Sequence, residues 1–339
     1  MLRWLASGGL ILAVVSALCI AAWVIYARHA SDRRETKTPE QLDAGTGRWV
    51  NAADARVHLR EWGPDTGPTI LLIHGTGGWS GAWFALPTAL SNAGWHVVAM
   101  DLPPFGLSTI LPTTPDVRYT REAQAGRILA VIDTLDVPVT LVAHSFGSGP
   151  ALEAAMHSEG RLRQLVLIDP ALGLGPNGEP PACEPPGSVS SLLANRSVRT
   201  AIVASTVTWP GFTVPLLRSF VFKKDAISKE LVATYQIPFG RIEFTPRLGD
   251  YVASFVRGNC ELADSLEMSK VSDWARKGPP IALVWGREDT ITPVAQATAL
   301  QRLMPGATLK VLPGVGHIPQ VESPTEFALA LVSVLRQQH

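Results

Sequence analysis

Val142-Ala143-His144-Ser145-Phe146-Gly147-Ser148-Gly149 decides how this chain is read, because an apolar, strand-like run enters the stretch and small residues leave it. A serine on the tight turn from a strand into a helix projects its hydroxyl above the sheet and aims the next backbone N–H at the same point. Gly147 and Gly149 permit the close approach such a turn needs. The usual pattern is G-x-S-x-G, and here Ala143 replaces the first glycine, a one-methyl departure that crowds the turn. Taken alone, Ser145 could equally be a plain helix cap.

A nucleophilic serine needs a base and an acid that orients it, and for elbows of this kind the chain order is serine, acid, histidine. Ile281 to Trp285 reads as a buried strand running into Gly286-Arg287-Glu288-Asp289, which delivers Asp289 at the sheet edge as the candidate acid. Asp169, ending the strand Leu165 to Ile168, is the alternative acid. Thr308 to Leu312 reads as a further strand, and Pro313-Gly314-Val315-Gly316-His317 brings the candidate base, His317, back over the serine. Upstream, the strand Thr69 to Ile73 runs into His74-Gly75-Thr76-Gly77-Gly78, a turn suited to presenting backbone N–H groups. The N–H groups of Thr76 and Phe146 are the candidate oxyanion donors. For His74, His144 and Asp101 a structural role is expected, since each sits beside a turn whose backbone groups need partners.

Together with Asp101-Leu102-Pro103-Pro104-Phe105-Gly106-Leu107-Ser108, these blocks resemble the α/β-hydrolase fold family over residues 48–339. The resemblance implies a mostly parallel, eight-stranded sheet with helices on both faces and a helical cap inserted after the sixth strand. It further implies a serine hydrolase, esterase- or lipase-like or similar to the meta-cleavage hydrolases, that forms an acyl-enzyme on Ser145. Ester cleavage comes first; hydrolysis of a carbon–carbon bond beside a ketone and cofactor-free haloperoxidase-like chemistry are the alternatives within enzymes. A non-catalytic, membrane-anchored binding protein is the alternative outside them. The cap and the tryptophans also resemble haloalkane dehalogenases and epoxide hydrolases, whose nucleophile is an aspartate where Ser145 stands. Pro104 is a second departure, at a position where glycine is common.

Strands are expected near residues 48–51, 57–62, 69–73, 97–100, 139–142, 165–168, 281–284 and 308–312, alternating with helical apolar spacing at 83–92, 120–135, 148–157, 294–303 and 324–335. The first two strands fit an antiparallel edge hairpin. About 110 residues separate Asp169 from Ile281, far beyond an ordinary connection. The cap is therefore placed at about 171–278. Its opening is rich in Pro and Gly, and its aromatic stretch Trp209 to Leu217 with Phe220 to Phe222 suits cap packing, a substrate lining or a bilayer surface.

At the start of the chain, Trp4 to Ala27 carries no charge and includes the apolar run Leu10 to Ile25. A hydrocarbon core of about 30 Å needs roughly 20 apolar helical residues, so residues 1–27 read as a single-pass anchor rather than a cleaved signal, whose apolar stretch is shorter. Cys19 follows Leu18, which does not suit a lipoprotein site. Residues 28–47 read as a polar tether. Arg28, Arg33, Arg34 and Lys37 against Arg3 favour a cytoplasmic body, whereas a short basic start favours export, so the side of the membrane stays open. In an oxidising compartment Cys183 and Cys260 could pair across the insertion.

A formal net charge of +0 offers nothing to nucleic acid, and the sequence carries no metal-ligand cluster and no phosphate loop. No cofactor is expected; the expected partners are a small apolar substrate and the membrane, with the oligomeric state undetermined.

Overall fold

A computed structural model of the chain describes residues 2–112, 119–173, 193–257 and 263–337, with side chains for all of these except 2–14, 17 and 255–257. Its strands are β1 (Arg48–Ala52), β2 (Ala55–Trp62), β3 (Thr69–Ile73), β4 (His96–Met100), β5 (Thr109–Ile110), β6 (Val139–His144), β7 (Leu162–Ile168), β8 (Ile281–Gly286) and β9 (Thr308–Leu312). They form one sheet in the order β1-β2-β4-β3-β6-β7-β8-β9, with β5 paired to β2. From β4 to β9 the pairs are parallel, while β1, β2 and β5 add an antiparallel edge. The sheet thus has nine strands where eight were expected; β5 is two residues long, too short to show a period-2 pattern.

The central strands are apolar on both faces because both are covered. Alternate residues supply two cores: Leu71, Ile73, Leu141 and Ala143 on one face, Ile70, Leu72, Val142 and Val166 on the other. Helices α1 (Leu2–Arg34) and α2 (Pro39–Asp43) precede the sheet; α3 (Leu86–Asn92), α4 (Arg121–Leu135) and α5 (Ser148–Met156) lie between its strands. The insertion after β7 contains α6 (Arg196–Ser205), α7 (Pro210–Phe220), α8 (Lys229–Gln236), α9 (Phe244–Arg257) and α10 (Met268–Ala275). Helices α11 (Ala295–Leu303), α12 (Pro319–Glu322) and α13 (Pro324–Arg336) complete the chain. Cys183 and Cys260, and most of the Pro- and Gly-rich cap opening, lie outside the described residues.

Residues 28–47 are not a free tether. Helix α1 runs on to Arg34, and its second half packs on α6 through Ala27, Ala201 and Ala204, with Trp23 Nε1 donating to Ser205 Oγ at 3.1 Å. Glu35 is buried and accepts from the Thr245 backbone N–H at the start of α9 (3.1 Å). Lys37 then pairs with the backbone around Arg241. Glu35 uses its carboxylate on cap backbone, whereas Arg28, Asp32, Arg33 and Lys37 keep their side chains exposed. Among the described residues no single helix is long and apolar enough to cross a membrane.

Candidate active site

The carboxyl ends of β3, β4, β6, β7, β8 and β9 meet along one edge of the sheet, so loops distant in sequence converge there. Ser145 follows the central strand β6 and adopts φ +51°, the left-handed conformation of a strained elbow. Gly147 has to be glycine, since a Cβ there would sit 2.4 Å from the carbonyl oxygen of His74. Ala143 does not disturb the turn; its methyl is buried in the core cluster that holds Ile73 and Leu167.

His317 Nε2 lies 2.8 Å from Ser145 Oγ, and His317 Nδ1 lies 2.8 Å from Asp289 Oδ2. A carboxylate only accepts, so Nδ1 carries the proton and Nε2 is left to accept from the serine hydroxyl. Asp289 is itself fixed by the N–H groups of Ile291 (2.7 Å) and Thr292 (3.0 Å) and by Thr292 Oγ1 (2.6 Å). Burial favours its neutral form, but the His317 and Thr292 hydrogen bonds outweigh burial and keep its pKa below the ordinary value.

Asp169 is brought to the same region but not to the histidine: its Oδ1 accepts from Gly286 N at 2.8 Å. Its complete burial, reinforced by the neighbouring Asp289 charge, pushes its pKa well above the ordinary carboxylate value. The carboxylate that reaches His317 is therefore that of Asp289 and not that of Asp169.

The three residues expected to be structural make specific contacts. His74 Nδ1 donates to the Gly75 carbonyl (2.8 Å) while Nε2 accepts from Leu102 N (2.9 Å), which requires a neutral ring. His144 Nε2 donates to the His317 carbonyl (2.7 Å). Asp101 accepts from Ser80 N (2.6 Å) and Leu107 N (2.7 Å), tying together the loops after β3 and β4. It also faces His58, whose two ring nitrogens meet Asp101 Oδ2 (3.1 Å) and Asp43 Oδ1 (2.8 Å). Both partners accept, so both nitrogens donate and the buried ring is an imidazolium. Burial opposes that charge, but the two carboxylates overcome it and hold the His58 pKa above its ordinary value.

Thr76 and Phe146 line the same cavity as Ser145 and His317, a space of about 620 Å³ roofed by cap residues such as Leu216, Leu217 and Phe220. The cap is pinned to the site at two places. Tyr251 on α9 places its hydroxyl 3.2 Å from Thr76 Oγ1, with its ring edge-on to Phe146 at 5.3 Å between centroids. On the other side, the Phe220 carbonyl accepts from His317 N (3.1 Å). The buried Glu322 carboxylate accepts from the N–H groups of Gly316, Ile318, Phe222 and Lys223 (2.7–3.2 Å). The aromatic cap stretch divides: Leu216, Leu217 and Phe220 face the cavity, whereas Trp209 and Phe222 are exposed.

Sequence reasoning passed over Thr292, Glu322, Tyr251 and His58. Thr292 left a trace, because Asp-x-x-Thr is a local pattern in which the side chain caps nearby N–H groups. Tyr251 left none, since an aromatic on an amphipathic helix says nothing of what it faces.

Residues 70–331 match the model of the Alpha/beta hydrolase family, and the chain belongs to that family. A Mycobacterium tuberculosis relative with a hydrolase name, LipZ, is 30% identical over 295 residues, covering 85% of this chain and 95% of the relative. Two solved structures share the fold. A meta-cleavage product hydrolase from Pseudomonas fluorescens superposes with TM-score 0.66 at 18% identity, over 87% of this chain and 99% of that one. A membrane phospholipase A described as a bacterial virulence factor superposes with TM-score 0.61 at 23% identity, over 100% of this chain and 99% of that one.

Proposed function

We propose that this member of the alpha/beta hydrolase family is a serine hydrolase that cleaves an ester of a small or medium apolar substrate through an acyl-enzyme on Ser145. The observation that carries the reading is the unbroken Ser145–His317–Asp289 chain, with both links at 2.8 Å, on the wall of a largely apolar cavity. Ser145 Oγ attacks the carbonyl carbon as its proton passes to His317 Nε2, and Asp289 steadies the imidazolium that forms. The carbonyl oxygen becomes an anion, and the N–H groups of Thr76 and Phe146 hold it, each contributing about 3–4 kcal/mol at the transition state. Collapse expels the alcohol, which takes the proton from His317. A water then repeats the sequence in reverse and releases the acid.

The test is labelling with a fluorophosphonate, followed by a panel of acyl esters of graded chain length. Labelling of the wild type that Ser145→Ala abolishes is expected; equal labelling of the two proteins would rule the nucleophile out. A second reading, hydrolysis of a carbon–carbon bond beside a ketone, draws support from the fold likeness to the meta-cleavage product hydrolase. Turnover of vinylogous diketones without ester turnover would select it.

Membrane attachment through α1 belongs to the same proposal. From Leu18 to Tyr26, leucine, isoleucine, alanine, tryptophan and tyrosine side chains stand exposed around the helix, and a helix apolar on all sides needs an apolar surrounding. Recovery of the full chain in the carbonate-washed membrane fraction is expected; release into the supernatant would refute it.

A further inference from the structure

The backbone that carries His317 is bonded to the cap twice over. Of three consecutive N–H groups, that of His317 donates to the Phe220 carbonyl at the end of α7, and those of Gly316 and Ile318 donate to the buried Glu322. The two carboxylate oxygens of Glu322 divide between two segments. Oε1 accepts from Gly316 N (3.0 Å) and Ile318 N (3.2 Å), the residues on either side of the base. Oε2 shares the Gly316 N–H (3.0 Å) and accepts from Phe222 N (2.7 Å) and Lys223 N (3.0 Å), which follow α7 in the cap. Gly316 permits this approach, since a Cβ there would lie 2.6 Å from Phe222 N and 2.9 Å from Glu322 Oε1. One side chain thus spans the base loop and the cap, and it does so through backbone N–H groups alone.

We propose that Glu322 is a positioning residue that holds His317 in place for proton transfer while the cap segment Phe222–Lys223 is seated on it, so that the seating of the cap governs the base. The proposal rests on the serine-hydrolase reading and deepens it. Two physical arguments carry it. All four donors are N–H groups and a carboxylate offers only acceptors, so it serves both segments at once; a carboxamide has one accepting oxygen and turns its NH2 on the other segment. The roof of the cavity is also close in chain to the link: Leu216, Leu217 and Phe220 line the cavity, and two residues separate Phe220 from Phe222. A shift of the roof therefore reaches Glu322, and through it the residues flanking His317. Proton transfer across the 2.8 Å contact between His317 and Ser145 is sensitive to such a shift, because misplacement by about 1 Å slows a reaction about 10²-fold.

The experiment measures the rate of fluorophosphonate labelling, and kcat and KM for 4-nitrophenyl acetate, in the full chain and its variants. Glu322→Gln should lower labelling and kcat by roughly ten- to a hundredfold while KM stays within about threefold. Lys223→Pro alters the cap side alone: it withdraws one N–H from Oε2 at a residue whose φ of −81° suits proline. It should lower both rates, and the double variant should lose no more than Glu322→Gln does. Lys223 Nζ also donates to Ser323 Oγ, so Ser323→Ala serves as the control and should keep wild-type rates. Wild-type labelling and kcat in Glu322→Gln, with only the Tm lowered, would overturn the proposal and leave Glu322 a role in folding alone. Wild-type rates in Lys223→Pro would overturn the link to the cap, and they decide the matter should Glu322→Gln not fold. Failure of the hydrolase reading shows separately, as absence of fluorophosphonate labelling in the wild type.

Discussion

His144, the residue immediately before Ser145, donates its Nε2 proton to the backbone carbonyl of His317, 2.7 Å away. The elbow and the base loop are thereby joined by a bond that uses neither reacting side chain. Burial, with the nearby His317 second, lowers the His144 pKa to about 3, so this donor is neutral across the working range. His144→Phe removes it and leaves a buried carbonyl unpaired, at a cost of about 1–3 kcal/mol. The expected result is a fall in kcat of roughly tenfold or more with the shape of the pH–rate profile between pH 5 and 9 unchanged. A shifted profile would show that His144 titrates in the reaction.

Asp289 and Asp169 separate cleanly by isosteric substitution. Asp289→Asn removes the charge that orients His317 and should lower kcat by on the order of 10³–10⁴. Asp169 accepts from the Gly286 N–H and makes no bond to His317, and burial with the Asp289 charge raises its pKa, so Asp169→Asn should retain kcat within a few-fold. Single-turnover acylation rates check both, and the reverse ranking would make Asp169 the acid.

The Tyr251 hydroxyl and Thr76 Oγ1 lie 3.2 Å apart and tie a cap helix to the candidate oxyanion loop. Tyr251→Phe keeps the ring packing and loses the bond, which should lower kcat several-fold more than it changes KM. Thr76→Val should cost a similar amount, and the double variant no more than either single one, with a coupling of about 0.5–1.5 kcal/mol. Additive losses would mean that the contact plays no part.

Glu35 links stability to pH. Burial is the main influence on it and raises its pKa from 4.5 to about 7 against the opposing hydrogen bonds from Thr245. The folded state therefore binds the proton more tightly than the unfolded state. This stabilisation is fully present below pH 4.5 and is lost as pH rises through about 7. The loss is roughly 3 kcal/mol at most. Thermal unfolding of the full chain in detergent should show a falling Tm between pH 5 and 8, and Glu35→Gln should flatten that slope. A variant as steep as the wild type would place the titration elsewhere.

Much of the sheet could be read from local pattern. Runs such as Thr69–Ile73 and Ile281–Trp285 announce fully covered strands, because a strand buried on both faces has no room for polar residues. Thr109–Ile110 could not be read, since two residues make a strand only when β2 lies alongside. The segment after α1 was misjudged for a related reason. Glu35 looks solvated in the sequence, but its partner, the Thr245 backbone N–H, is 210 residues away.

The sequence by itself determined the order Ser145, Asp289, His317 after the strands β6, β8 and β9, because each lies beside a turn marked by glycine and turn chemistry is local. Only the tertiary structure decided which acid meets His317 and that His58 lies between two carboxylates. Those are matters of distance and burial. Whether a carboxyl is charged or neutral, and whether an amide is satisfied or open, depends on what the fold places within about 3 Å of it. Residue type alone does not contain that information.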